Sequence, residues 1–190
     1  MSLNYRSTFS LIAIILFFSF IINAQPQKGK FIDAAIGLGI SAPYDNIDIG
    51  GSGFYAQGEY VFGLKKWFGF RPYAGFIITS PSESITNQNL TQYEVTSKAF
   101  LLGGKIRVAA PIPWVAPYIE IGLGASIGSF VTYTPETNKK KNGLLMHIPY
   151  TIGLALGRNN NVEVAFTYYD HPSVKQFSGA AAIGLSFPLN

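Results

Sequence analysis

The sequence predicts an all-β chain: eight antiparallel strands in up-and-down order, closed into a transmembrane β-barrel behind a cleaved signal peptide. Three observations carry this expectation. Eight segments alternate apolar residues with small or polar ones, the period of two that a strand imposes. Charged residues make up only 13% of the 190 residues, about half the roughly 25% usual in a soluble domain. The connections alternate between long polar loops and short turns, as in membrane barrels with long loops outside and tight turns in the periplasm.

The N-terminus has the layout of a secretory leader. Arg6 is followed by the uncharged apolar run Leu11 to Ile22, and then by Asn23-Ala24-Gln25. The run falls short of the about 20 residues of a comfortable membrane helix. Cleavage is expected after Ala24, leaving residues 25–190 as the barrel. The chain has no cysteine. That excludes a disulfide framework, a Cys-ligated zinc site, a thiol nucleophile and a lipoprotein anchor. The barrel must then be held by its hydrogen-bond ladder and its packing.

The strands are expected at about 31–41, 53–62, 68–79, 97–109, 115–128, 144–157, 162–170 and 177–187. In the first, Ile32, Ala34, Ile36, Leu38 and Ile40 oppose Asp33, Ala35, Gly37 and Gly39. Gly63 to Lys66 and Arg158 to Asn161 read as tight turns, and Pro111 to Trp114 as another. Ser80 to Glu94, Ser129 to Asn142 and His171 to Gln176 read as loops. The tripeptide Ile-Gly-Leu recurs at 36–38, 121–123, 152–154 and 183–185, each time with Ile and Leu on the apolar face. Gly37-x-Gly39 and Gly122-x-Gly124 lack the strand–loop–helix setting of a nucleotide loop.

The faces assigned as apolar are read as free of charge, while the opposite faces carry Asp33, Glu59, Arg71, Lys105, Arg107, Glu120 and Glu163. A soluble, lipocalin-like carrier would turn its apolar face inward and need a densely polar exterior. Here the second face is mainly Gly, Ala, Ser and Tyr. The apolar face is therefore expected to meet lipid, where a mid-depth charge costs about 2–4 kcal/mol. The seven charges then form an interior structural cluster, because an unpaired buried charge is costly. Glu59 is expected opposite Arg71, and Lys105 or Arg107 opposite Glu120. Trp67 and Trp114 are expected at the periplasmic rim, where aromatics favour the membrane–water interface.

The mature chain resembles the small eight-stranded outer-membrane barrels: the OmpA transmembrane domain and the OmpX/Ail-like proteins. The resemblance lies in topology and pattern rather than in a motif. It implies both chain ends in the periplasm, insertion by the barrel-assembly machinery, and location in the bacterial outer membrane. The last strand departs from that family's aromatic end: Phe187 is followed by Pro188-Leu189-Asn190.

Little in the sequence points to catalysis. His171-Pro172-Ser173 resembles the His-x-Ser of the lipid A deacylase barrels, and a His can activate a Ser if a third group orients it. Val174 stands where that family has Asn, and the last strand offers no carboxylate. The segment is read as a turn. Lys139, Lys140 and Lys141 form a basic loop cluster suited to lipopolysaccharide phosphates or acidic polymers. Asn89-Leu90-Thr91 is a sequon by pattern only, and His147 is read as a hydrogen-bonded interior residue. The expected protein is a monomeric, non-enzymatic outer-membrane barrel without cofactor or nucleic-acid partner, acting structurally or through its loops. A narrow pore or apolar-solute conduit, a deacylase using His171 and Ser173, and a soluble carrier are the alternatives.

Overall fold

A computed structural model of the chain describes residues 28–81 and 93–189. The leader 1–24 and most of the 80–94 loop, including Asn89, lie outside the described residues. Eight strands follow in order: β1 (Gly29–Pro43), β2 (Gly51–Lys65), β3 (Phe68–Pro81), β4 (Glu94–Ala109), β5 (Trp114–Tyr133), β6 (Asn138–Gly157), β7 (Val162–His171) and β8 (Gln176–Leu189). Each pairs antiparallel with its sequence neighbour, and β1 pairs with β8 to close the barrel.

Period-two alternation fixes which side chains face out. Ile36, Leu38, Leu123, Ile152 and Ile183 are each at least 60% exposed, and their strand neighbours turn inward. All four Ile-Gly-Leu repeats present Ile and Leu on this outer face. An apolar exterior around a polar interior is the inverse of a soluble carrier, so the lipocalin-like alternative does not hold. Trp67 and Trp114 stand at the short-turn end, 46% and 51% exposed.

Four expectations need correction. The first short turn lies at Lys66–Trp67 rather than at 63–66, and the β2–β3 register shifts between Gly63 and Lys65. Consequently Glu59 stands opposite Tyr73, not Arg71. The segment 129–142 is mostly not a loop: β5 and β6 run through it as a paired hairpin, leaving only 134–137 as the turn. His171 likewise ends a strand, and Pro172–Val174 forms one 3₁₀ turn. Finally, the outer face is not wholly free of charge. Lys98 is exposed on the outward parity of β4, level with Ser129 and Ile78.

Candidate functional site

The interior is built in layers. Nearest the short turns, inward positions on six strands bring the seven charges together. Arg107 stands directly opposite Glu120 in the β4–β5 ladder. Its Nε donates to Glu120 Oε1 at 2.6 Å and its Nη2 to Glu163 Oε2 at 2.8 Å. Its guanidinium also lies 3.5 Å from the Tyr118 ring centroid. Lys105 Nζ reaches Glu120 Oε2 at 2.7 Å and Glu59 Oε1 at 2.5 Å. Arg71 Nη1 donates to Asp33 Oδ2 at 2.6 Å and to Glu59 Oε2 at 2.8 Å, so it reaches Glu59 diagonally. Its Nη2 donates to Glu163 Oε1 at 3.2 Å. The charges are desolvated, and the arginines' forked donors match the carboxylates they meet.

Above the charges sit Tyr55, Tyr73 and Tyr169. Tyr169 Oη donates to Gln57 Oε1 at 2.6 Å and lies 2.9 Å from Tyr55 Oη. Since Tyr169 has given its one proton to Gln57, Tyr55 donates to Tyr169. Gln57 Nε2 donates in turn to Glu59 at 2.7 Å, tying this layer to the charges.

The next layer is a chain of side chains from four strands: Tyr73 Oη to His147 Nε2 at 2.5 Å, His147 Nδ1 to Ser126 Oγ at 2.7 Å, Ser126 Oγ to His171 Nε2 at 2.8 Å, and His171 Nδ1 to the Tyr169 carbonyl at 3.2 Å. With both imidazoles neutral, the carbonyl, which can only accept, sets the direction of the whole chain. His171 donates from Nδ1 and accepts at Nε2 from Ser126. Ser126 then accepts from His147 Nδ1–H, and His147 Nε2 accepts from Tyr73. Both imidazoles are neutral in this arrangement. Gly124 makes room for it: a Cβ there would overlap both Tyr73 Oη and His147 Nε2.

Ser126 between two histidines has the parts of a nucleophile and base. Yet Ser126 and His171 are fully buried and His147 is 1% exposed, which closes them to substrate. The alternative pair, His171 with Ser173, is not assembled. His171 uses both ring nitrogens elsewhere, and the buried Ser173 Oγ makes no hydrogen bond.

The outermost interior layer is neutral. Ser97 Oγ lies 2.6 Å from Ser178 Oγ, Ser41 Oγ 3.0 Å from Thr79 Oγ1, and Thr132 Oγ1 donates to Gln176 Oε1 at 2.7 Å. Above it the first and third loops are tied together. Thr134 Oγ1 donates to Asp45 Oδ2, and Thr137 Oγ1 to Asp45 Oδ1 at 3.3 Å. Tyr44 Oη donates to Asp170, and its ring lies 4.3 Å from that of Phe177. Burial, and then the bond to the Asp170 carboxylate, hold the Tyr44 phenol above its ordinary value. Lys139, Lys140 and Lys141 stand on β6 of the projecting hairpin, Lys139 half-buried and the other two exposed. Sequence reasoning did not single out Ser126, Tyr73, Gln57 or Asp45. Inward parity marks the first three; nothing local marks the partner of Asp45.

Outward apolar side chains around a filled polar interior define an eight-stranded membrane-spanning barrel. Comparison with solved structures agrees on the fold. The chain is similar to Neisserial surface protein A (TM-score 0.59, 10% identity, 85% of this chain and 98% of that one). It is similar to the outer membrane protein OprG from Pseudomonas aeruginosa (TM-score 0.52, 12% identity, 87% and 99%). It is also similar to the N-terminal β-barrel domain of Pseudomonas aeruginosa OprF (TM-score 0.50, 10% identity, 84% and 98%). No protein-family model matches the sequence, and no curated protein matches it.

Proposed function

We propose that this is a non-enzymatic, monomeric outer-membrane barrel that works through its extracellular rim. The observation that carries the reading is the filled interior: paired charges, tyrosines, histidines and hydroxyls follow one another from the short turns to the loop clasp. An eight-stranded barrel has an interior just wide enough for side chains to fill it. What remains available to a partner is the outside. There the long β5–β6 hairpin lifts Lys140 and Lys141 into the open, and Lys98 faces outward on the adjoining strand β4. Clustered ammonium groups favour phosphate-bearing lipopolysaccharide, with insertion by the barrel-assembly machinery placing them at that leaflet.

The experiment is binding of purified lipopolysaccharide to the refolded barrel. Replacing Lys139, Lys140 and Lys141 with Gln should weaken binding and its salt dependence without changing the unfolding midpoint. Equal binding by both proteins would remove the lysines from this role. Recovery of the native protein from the soluble periplasm would overturn the membrane location itself.

A further inference from the structure

The packed interior ends at the charge cluster. Beneath it, at the short-turn end, a cavity of about 70 Å³ lies between the β2–β3 turn and the β6–β7 turn. A void of roughly 10–15 Å³ already holds one water. This one therefore admits a few heavy atoms, the end of a molecule rather than the whole of it. Lys65, Lys66, Trp67 and Asn159 are exposed and mark its mouth. The Lys65 ammonium stands 5.6 Å from the Trp67 ring centroid. The other charged groups of the lining are Arg71, Arg107 and Glu163. These three are engaged with one another and with the cluster. The two lysines of the turn then set the sign at the mouth, which is positive and selects an anion.

Asn160 adds a second requirement. Its backbone is left-handed (φ 51°), and its Nδ2 donates to the Ala155 carbonyl at 2.8 Å. That bond fixes which way the amide points. Its Oδ1 is left as a buried acceptor with no hydrogen bond among the described residues, on a residue that lines the cavity and is only 7% exposed. A buried acceptor calls for a donor. A simple anion such as acetate brings only further acceptors to it. The ligand must carry a negative group with an N–H or O–H beside it. Phe31, Val61 and Ala109 also line the cavity and offer a dry surface to a small alkyl group. A sugar acid would set its hydroxyls against that surface, whereas the last residue of a peptide can present a methyl.

We propose that this cavity binds the carboxyl end of a peptide. The terminal carboxylate meets the Lys65 and Lys66 ammoniums, the last amide N–H donates to Asn160 Oδ1, and a small apolar side chain rests on Phe31, Val61 and Ala109. The rest of the peptide leaves past Trp67. The site is at the opposite end of the barrel from Lys139, Lys140 and Lys141 and does not depend on their role.

The test is titration of the refolded barrel in detergent with N-acetyl-Ala-Ala, followed by the indole ¹⁵N resonance of Trp67 and the side-chain amide resonance of Asn160. Both should shift and saturate, while Trp114, which is outside the cavity lining, stays in place. The C-terminal amide of the same dipeptide should bind about tenfold more weakly, the loss expected when a charged hydrogen-bond partner becomes neutral. Lys65→Gln with Lys66→Gln should weaken the free acid but not the amide. Asn160→Gly, which tolerates the left-handed backbone, should weaken both several-fold. The comparison of free acid with amide is made on the wild-type barrel, so it stands even if a variant does not refold. Equal affinity for acid and amide, or no shift at Trp67 and Asn160, would overturn the proposal. Acetate binding as tightly as the dipeptide would reduce the site to an adventitious anion, and tighter binding of glucuronate would replace the peptide by a sugar acid; either result overturns the assignment.

Discussion

At the residue scale, the interior explains why particular substitutions should be severe. Glu120 is fully desolvated and meets Lys105 and Arg107 at once. Replacing it with Leu leaves two buried cations undercompensated, and breaking a buried pair this way costs about 3–5 kcal/mol. Glu120→Leu should therefore lower the heat resistance of the folded form in an electrophoretic mobility assay, and an unchanged transition would remove the pairing as a source of stability. Ser126 is a different case, because it is neutral. Ser126→Ala strips the acceptor from His147 Nδ1–H and the donor from His171 Nε2, and each unmet buried group costs about 1–3 kcal/mol. The expected reading is a lower unfolding midpoint together with shifted imidazole ¹⁵N resonances for both histidines. A shift confined to one histidine would break the single-chain assignment.

At the element scale, the outer face of β5 separates a lipid-facing strand from a water-facing one. Leu123 is 66% exposed in the protein alone. On a water-facing strand Leu123→Arg would be nearly silent. Facing mid-depth lipid it should cost about 2–4 kcal/mol, read as a reduced folded fraction in vesicles with little change for Leu123→Ala. The strands themselves were legible because a period of two survives any error in their ends: Ile36, Leu38, Ile121 and Leu123 all face outward as read. The β2–β3 register was not. A single irregularity between Gly63 and Lys65 moves the turn to Lys66–Trp67 and replaces Arg71 by Tyr73 opposite Glu59. The Ser129–Asn142 hairpin was missed for a related reason. Beyond the lipid both faces of a strand can be polar, so the apolar alternation that reveals a strand disappears while the ladder continues. Tyr73, Ser126, His147 and His171 lie on four strands, and only the closed registers bring them into one chain.

At the scale of the whole molecule, the question is whether a filled barrel can conduct. Its interior groups are paired across the barrel: guanidinium with carboxylate, imidazole with hydroxyl, and Gln176 with Thr132. An ion crossing this interior would have to separate such pairs without bulk water to replace them, and each separation costs several kcal/mol. The loop clasp through Asp45 adds a second closure but is not needed for the first. Asp45→Ala removes the acceptor for Thr134 and Thr137. It should speed protease cleavage at the outer loops while leaving the layers beneath untouched. In a planar bilayer, both the wild-type barrel and Asp45→Ala should then give no steady current. Steady current from Asp45→Ala alone would make the clasp the only barrier, and the layers below it a route rather than a plug. Current from the wild type would favour the narrow-pore reading outright.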